Sequence, residues 1–364
     1  MSRCYDELVH FDEQVPLAPL TSLGVGGPAA HFVEVRDVAA LTQALGWARE
    51  RDVPVRLLGG GSNLVVSDGG VAGLVVSVAL RGRTIRQLDG KVEVTAGAGE
   101  PWDELVAYTV ERGWAGLECL SGIPGRVGAS PIQNIGAYGR EIGDLVSTVH
   151  VLDRRSLETR ALTARDCAFA YRDSVFKNDL KDRYVVLDVT YRLTPDGTPT
   201  LDYADLKRTF AERGMGAPTL AQARAGVLDV RRTKSMLADP ADPNGRSCGS
   251  FFVNPIVPRA QLVDIESRAG GSVPHYELPD DRIKVPAAWL IQNAGFARGT
   301  TDGPVGLSTR HTLAIVAHDG ARSADVVRFA RRLRDAVEAR FGLRLIPEPV
   351  MWGFARLDDG LPVL

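Results

Sequence analysis

Apolar positions in the first hundred residues switch between the two periods that separate helix from strand. After Asp37, a natural N-cap, apolar residues recur at Ala40, Leu41, Ala44, Leu45 and Ala48, one stripe of a 3.6-residue helix. The run Val53-Pro54-Val55-Arg56-Leu57-Leu58 then reads as a strand that stops at the triplet Gly59-Gly60-Gly61. Residues 74–80 predict a further strand, and Val92, Val94 and Ala96 alternate strictly with polar neighbours. Pro101 stands where a helix would begin, Asp103 and Glu104 fall in its first turn, and Gly113 supplies a stop.

A second segment follows a glycine-rich stretch at residues 121–139. Residues 148–152 predict a strand, and in 185–193 the residues Val185, Leu187, Val189, Tyr191 and Leu193 share one strand face. Thr219-Leu220-Ala221-Gln222 is a capping box that opens a helix to about Lys234. Residues 236–246 carry Pro240, Pro243, Asn244 and Gly245 and predict a linker or a substrate-facing loop. Helices are expected at 259–267, 286–293 and 323–341. In the last, Val326, Ala330, Leu333 and Val337 form the stripe and Gly342 closes it. Arg328, Arg331, Arg332 and Arg334 fall largely off that stripe, which predicts a solvated outer face. There is no internal repeat and no low-complexity tract. The pattern predicts an α+β protein in about three parts.

Length and composition narrow the classes. The 364 residues suffice for two or three domains, and 45% hydrophobic with 24% charged residues is an ordinary globular balance. Lys+Arg 43 against Asp+Glu 45 gives −2, no electrostatic basis for nucleic-acid or membrane-surface binding. The longest uncharged stretch, residues 14–33, holds three prolines and three glycines, so a transmembrane helix is excluded. Asp6 and Glu7 stand where a signal peptide needs an apolar run, and a cytoplasmic monomer is expected. Cys4, Cys119, Cys167 and Cys248 lie far apart without a CxxC pair, so neither a disulfide framework nor a zinc site is expected.

The glycine clusters carry the candidate chemistry. No G-x-G-x-x-G is present: Gly97-Ala98-Gly99 comes closest, but Trp102 stands where the third glycine must sit, and no Walker A motif occurs. In Gly59-Gly60-Gly61-Ser62-Asn63, successive residues without Cβ let backbone N–H groups converge on an anion, and Ser62 and Asn63 add side-chain donors. The second cluster runs Ser121-Gly122-Ile123-Pro124-Gly125-Arg126-Val127-Gly128-Ala129-Ser130-Pro131-Ile132-Gln133-Asn134-Ile135-Gly136-Ala137-Tyr138-Gly139. It is too irregular for helix or strand and too apolar for a solvated loop. A backbone lying against a large planar ligand, with the amides of Gln133 and Asn134 at the ring edge, accounts for it; two compact structural loops are the alternative.

These two clusters and Tyr171-Arg172-Asp173-Ser174-Val175-Phe176-Lys177 resemble the UDP-N-acetylenolpyruvoylglucosamine reductase family, flavoenzymes of bacterial peptidoglycan precursor synthesis. The resemblance continues in order through Cys248-Gly249-Ser250-Phe251-Phe252-Val253-Asn254-Pro255, Ala287-Ala288-Trp289-Leu290-Ile291-Gln292 and Pro347-Glu348, and covers about residues 21–353. It implies an α+β fold of the vanillyl-alcohol oxidase/p-cresol methylhydroxylase type, with non-covalent FAD. Residues 1–80, rejoined by 345–364, would form one FAD-binding subdomain, 81–232 the second, and 233–344 a substrate-binding domain. Gly59, Gly60, Gly61, Ser62 and Asn63 would cradle the FAD pyrophosphate. Ser121, Gly122, Ile123, Pro124, Gly125, Gly128, Ala129, Gln133, Asn134, Gly136 and Ala137 would line its adenine, ribityl and isoalloxazine parts. Asp202-Tyr203-Ala204-Asp205-Leu206 resembles the tyrosine loop of the type I members, which folds over substrate. The chain departs from the family at Pro349-Val350, where the well-known enterobacterial form has a valine and a basic residue, so a substrate-anchoring role for that base does not carry over.

The implied reaction reduces the enolpyruvyl ether of a UDP-sugar with NADPH as co-substrate. Arg172 is expected to stabilise the developing enolate, since a guanidinium engages a carboxylate with two charge-assisted hydrogen bonds. Glu348 would assist as an acid or by ordering that network, and Ser250 would donate the proton. Tyr203, Lys234, Asn254, Lys284 and Gln292 are the candidates for the nucleotide-sugar, the lysines as point charges for a diphosphate. Cys248 has no cationic neighbour in sequence but Arg246, which predicts a buried, inert thiol. Rival readings are a flavin oxidase of the same fold, a hydrolase (though no G-x-S-x-G elbow is present), and a non-catalytic sugar-nucleotide-binding protein.

Overall fold

Strand Tyr184–Pro195 is the hub of a six-stranded antiparallel sheet, and its residues Val185, Leu187, Val189, Tyr191 and Leu193 are all buried. The sheet order is Thr159–Thr163, Val146–Asp153, Tyr184–Pro195, Lys91–Gly97, Arg83–Leu88, with Trp114–Ala115 paired to the end of the hub. Val189 lies opposite Val149 on one side and Ala96 on the other, so the apolar alternations of three strands fall in register on one face. The other face is polar: the Thr95 and Thr190 hydroxyls meet at 2.8 Å, and Glu93 is held by Arg86 and Arg192. The structure, a computed structural model, describes residues 9–201, 203–358 and 360–362. Cys4, Asp6, Glu7 and Asp202 lie outside the described residues.

The chain divides into two compact units. The first holds the described residues up to Val15 with Ala30–Gly60 and Ala72–Leu237; the second holds Pro16–Ala29, Gly61–Val71 and the described residues from Ala238 on. In the first unit, helix α1 (Val38–Glu50) is capped by Asp37, whose Oδ1 accepts from the Ala40 N–H at 2.8 Å, and it buries the predicted Leu41, Ala44, Leu45 and Ala48. Strand Val55–Leu58 runs parallel to Val71–Val78 in a sheet ordered Asp12–Pro16, Pro28–Val35, Val71–Val78, Val55–Leu58. Helix α2 (Trp102–Glu111) starts after Pro101 and sets Trp102 edge-on to Tyr191, ring centroids 5.8 Å apart. A short α3 (Ala164–Cys167) precedes the hub strand.

Two further helices complete this unit. The tyrosine segment does not continue as a loop: Tyr203 is the N-cap of α4 (Ala204–Glu212). Helix α5 (Leu220–Thr233) carries the predicted capping box, Thr219 Oγ1 accepting from the Gln222 N–H and Gln222 Oε1 from the Thr219 N–H. The two helices pack through a satellite core of Leu206, Phe210, Val227, Val230 and Cys119. Gly226 makes room for it, since a Cβ there would collide with the Phe210 ring.

The second unit has its own core. Strands Ser247–Ser250, Ala314–Ala317, Val305–Leu307 and Thr301–Asp302 form one antiparallel sheet, and Ile256–Pro258, Arg282–Lys284 and Tyr276–Leu278 another. Val350–Trp352 pairs in parallel with Leu64–Val66, bringing an early strand beside the end of the chain. Helices α6 (Leu262–Ala269), α7 (Ala287–Asn293) and α8 (Ser323–Phe341) pack on this core, α8 through Val326, Ala330, Leu333 and Val337 as the stripe predicted. Arg328 and Arg332 of α8 are exposed as expected, but Arg331 and Arg334 correct the expectation of a solvated face. Arg334 is only 4% exposed, and its guanidinium bonds Asp335 and Asp358; Arg331 Nε donates to the Pro362 carbonyl at 2.6 Å. The hairpin Leu357–Asp358 and Leu361–Pro362 covers them, which helical periodicity cannot foresee. No helix among the described residues is long and apolar enough to cross a membrane.

Candidate active site

In the first unit the two glycine clusters meet back to back. A Cβ on Gly60 would stand 2.7 Å from the Cα of Gly125, closer than any real side chain tolerates, so the approach requires glycine. Among the described residues, the N–H groups of Gly60, Ile123 and Gly125 donate to no protein acceptor. Backbone donors left open where two chains without side chains meet form a ready anion cradle, which suits the diphosphate of a dinucleotide. The second cluster is anchored elsewhere along its length. Gly122 N–H donates to Asp103 Oδ1 at 2.6 Å, Ser121 Oγ to the Glu118 carbonyl at 2.6 Å, and Gly128 N–H to the Ala98 carbonyl at 2.9 Å.

Asp103 is clamped in turn by Arg224 of α5, with Nη1–Oδ1 2.6 Å and Nη2–Oδ2 2.8 Å. Burial pulls the Asp103 carboxyl upward, but the Arg224 fork and the Gly122 N–H outweigh it and hold it below the usual carboxylate range. Sequence reasoning gave Asp103 only a helix-dipole role and passed over Arg224, because nothing local links either to residue 122.

Asn134 takes a different role from the one its sequence suggested. It is 2% exposed, with φ +46°, and its amide is committed to the protein: Nδ2 donates to Glu141 at 2.6 Å and to the Ala170 carbonyl at 3.0 Å, and Oδ1 accepts from the Gly143 N–H at 2.9 Å. It therefore shapes the loop rather than offering its amide to a ring edge. Gln133 beside it is half-buried. The motif around Arg172 packs on the same loop. Arg172 Nη2 donates to the Gly136 carbonyl at 2.7 Å, Ser174 Oγ donates to the Ile132 carbonyl at 2.6 Å, and Lys177 Nζ holds the Arg172 carbonyl at 2.7 Å. Arg172 itself has φ +54°, a strained position for a side chain of that size.

In the second unit, Ser250 ends strand Ser247–Ser250, paired with Ala314. Its neighbours Phe251 and Phe252 pair with the segment that carries Glu348: Phe252 bridges Pro347, and the Glu348 N–H donates to the Phe251 carbonyl at 2.9 Å. Asn63 Nδ2 donates to the Glu348 carbonyl at 3.2 Å, and Asn63 accepts from the Val350 N–H at 3.0 Å. Three motifs far apart in sequence, at residues 61–63, 248–255 and 347–348, are thus brought together. Burial pushes the Cys248 thiol up to about 12, with Glu348 adding to the shift, so the thiol is inert as expected. Arg172 belongs to the first unit, Ser250 and Glu348 to the second.

Comparison with known proteins gives the same grouping. Residues 29–157 match the family described as FAD binding domain, and residues 239–352 match the C-terminal domain of UDP-N-acetylenolpyruvoylglucosamine reductase. The chain is 46% identical over 351 residues to the UDP-N-acetylenolpyruvoylglucosamine reductase of Thermobifida fusca, covering 94% of this chain and 98% of that one. The reductase of Saccharopolyspora erythraea is likewise 46% identical over 346 residues, covering 92% and 94%. The chain belongs to the UDP-N-acetylenolpyruvoylglucosamine reductase family. Among solved structures, the reductase of Thermus caldophilus matches with a TM-score of 0.64 at 26% identity, over 94% of this chain and 98% of that one. The reductase family's FAD-binding domain and C-terminal domain account for the α+β architecture described above.

The remaining candidates of the reductase reading fall in both units. In the first, Lys234 is the C-cap of α5 and Tyr203 meets Tyr138 edge-on, ring centroids 5.6 Å apart. In the second, Lys284 lies in strand Arg282–Lys284 with its ammonium 5.4 Å from the Tyr276 ring centroid. Asn254 Oδ1 accepts from the Ala287 N–H at 2.9 Å, so it caps α7, the helix on which Gln292 is exposed.

Proposed function

We infer that this chain is a flavin-dependent UDP-N-acetylmuramate dehydrogenase, reducing the enolpyruvyl ether of UDP-N-acetylglucosamine to the lactyl ether of UDP-N-acetylmuramate with NADPH as reductant. The observation that carries the reading is 46% identity to a named reductase over 94% of the chain. The meeting of Gly60 and Gly125, with open N–H donors, supports a bound dinucleotide at that place. FAD, when bound there, supplies a hydride acceptor and donor. The reading carries with it a cytoplasmic monomer and a three-part division into residues 1–80 with 345–364, 81–232 and 233–344.

Every other step falls to the chain's own groups. Hydride addition to the terminal carbon of the enolpyruvyl group leaves negative charge spread into the adjacent carboxylate. Arg172 is the group for that charge: a guanidinium fixed by the Gly136 carbonyl gains most where charge develops. Ser250 delivers a proton to the adjacent carbon and recovers one from solvent. Glu348, whose backbone is fixed by Phe251 and Asn63, orders or relays that proton. Tyr203, Lys234, Asn254, Lys284 and Gln292 bind the UDP-sugar, with Lys284 and Lys234 serving its diphosphate. Asn254 can also act through α7, since it caps the helix that bears Gln292.

The test is spectroscopic. The purified protein should be yellow, bleach with NADPH in the absence of oxygen, and recolour on addition of the enolpyruvyl sugar nucleotide. Ser250→Ala should retain FAD and bleach normally but recolour slower by about 10²-fold or more, the usual worth of a positioned acid. Recolouring by oxygen alone would replace the reductase with an oxidase of this fold, and unchanged recolouring in Ser250→Ala would remove Ser250 from the mechanism.

A further inference from the structure

Arg172 springs from a left-handed backbone, φ +54°, which a residue of its size rarely adopts. The turn around it closes on itself: the Ala170 N–H donates to the Asp173 carbonyl at 3.1 Å, and the Asp173 N–H to the Ala170 carbonyl at 3.0 Å. A strained turn of this kind persists only where its surroundings over-determine it. Asn134, on the glycine-rich loop, supplies part of that determination. Its Nδ2 donates to the Ala170 carbonyl at 3.0 Å, across 36 residues of chain.

The same amide nitrogen also fixes what the far end of the Arg172 side chain rests on. It donates to Glu141 Oε2 at 2.6 Å, and Glu141 pairs in antiparallel register with Gly136, whose carbonyl accepts from Arg172 Nη2 at 2.7 Å. A Cβ on Gly136 would stand 2.8 Å from Glu141 Cγ and 3.2 Å from Arg172 Nη1, so the glycine lets both side chains close over one stretch of backbone. The other end of the amide is engaged as well, Oδ1 accepting from the Gly143 N–H at 2.9 Å. Buried and bonded at both ends, the Asn134 amide has one orientation only. All of these groups lie in the first unit.

We propose that Asn134 is a positioning residue for Arg172: one amide fixes both the turn from which the arginine springs and the hairpin carbonyl on which its guanidinium rests. This rests on the reading of Arg172 as the group that meets the enolate charge. A guanidinium aimed at developing charge acts only from the right place, and a misplacement of about 1 Å caused by a remote change can cost on the order of 10²-fold. Asn134 therefore governs the half of the cycle in which the sugar nucleotide is reduced. Reduction of the flavin by NADPH does not draw on Arg172 and should not depend on Asn134.

The experiment follows the two half-reactions by rapid mixing in FAD-loaded enzyme, comparing Asn134→Gly, Asn134→Asp, Arg172→Ala and the Asn134→Gly/Arg172→Ala double variant with the wild type. Glycine keeps the left-handed backbone and deletes the amide; aspartate keeps the shape and the acceptor for Gly143 but loses both Nδ2 bonds. In both Asn134 variants, recolouring by saturating enolpyruvyl sugar nucleotide should slow on the order of tenfold or more. Bleaching by NADPH should stay within about twofold, because the lost interaction serves only the other half-reaction. The double variant should be no slower than Arg172→Ala, since Asn134 acts through that arginine. Asn134→Asp decides the matter even if Asn134→Gly folds poorly. Slow recolouring in Arg172→Ala with normal recolouring in the Asn134 variants would overturn the proposal and leave the role of Arg172 standing. Normal recolouring in Arg172→Ala would overturn that role and the proposal with it. Equal slowing of bleaching and recolouring in the Asn134 variants, or a double variant slower than Arg172→Ala, would also overturn the proposal and make Asn134 a fastening of the flavin loop alone.

Discussion

Asp103 shows how much a single side chain of this site does that its sequence position conceals. It lies in the first turn of α2, where a carboxylate complements the helix dipole, and that much is legible from Pro101 and the apolar residues that follow. Its bonds to the Gly122 N–H and the Arg224 fork are made across 19 and 121 residues of chain, and no local signal announces them. Because its folded pKa is depressed, its contribution to stability is present above the unfolded carboxyl value of about 3.9 and is lost as pH falls through the folded one. Asp103→Asn should thus lower stability at pH 7 by roughly 1 kcal/mol, solvent screening allowed for, and loosen FAD. Melting curves from pH 7 down to below about 4 should show the variant losing less with acid than the wild type, and equal acid losses would refute the role. Asn134 teaches the converse. Its type suggested a ligand-facing amide, but an αL backbone turns that amide into the loop's own fastening.

Among the elements, those set by local chemistry were legible. The Asp37 cap, the Thr219–Gln222 box and the apolar stripe of α8 each depend on residues within a few positions of one another, and each stands where the pattern puts it. Helix α4 was not legible, because its start coincides with the tyrosine segment and its apolar residues Leu206 and Phe210 find their partners only on α5 and at Cys119. Arg331 and Arg334 of α8, unlike the exposed Arg328 and Arg332, were misread for the same reason. Their partners sit on the C-terminal hairpin, with Arg334 Nη1 donating to the Asp358 carbonyl at 3.2 Å and Arg331 Nε to the Pro362 carbonyl at 2.6 Å. Replacing Arg334 by Met keeps its bulk but removes its bonds to Asp335 and Asp358. Urea unfolding should show a loss of about 1–3 kcal/mol, below the full cost of breaking a buried pair because Asp358 remains partly in water. No change would mean that the hairpin is held by Leu361 and apolar contacts alone.

At the scale of the whole molecule, each unit has a core of its own but neither is a continuous stretch of chain. The second unit draws Leu23, Val25 and Val65 into the core formed by Phe251, Leu290, Phe329 and Leu333, and its strand Val350–Trp352 needs Leu64–Val66 as partner. A fragment of residues 238–364 would leave a parallel strand unpaired and a core face open. It should unfold without cooperativity and bind a hydrophobic dye, whereas a sharp calorimetric transition in the fragment would show that the early segments are dispensable.

The sequence by itself determined the helices with local caps, the alternation of the sheet strands, the α+β class and the ordered motifs that mark the family. Each of these is encoded over a few residues or in fixed short strings. Tertiary structure alone decided that Gly60 and Gly125 touch, that Asn63 and Phe251 hold Glu348, and that Arg224 stands behind the glycine-rich loop. Those contacts join groups tens to hundreds of residues apart. Their partners are chosen by packing and by the need to satisfy buried polar atoms, neither of which leaves a periodic trace in the chain.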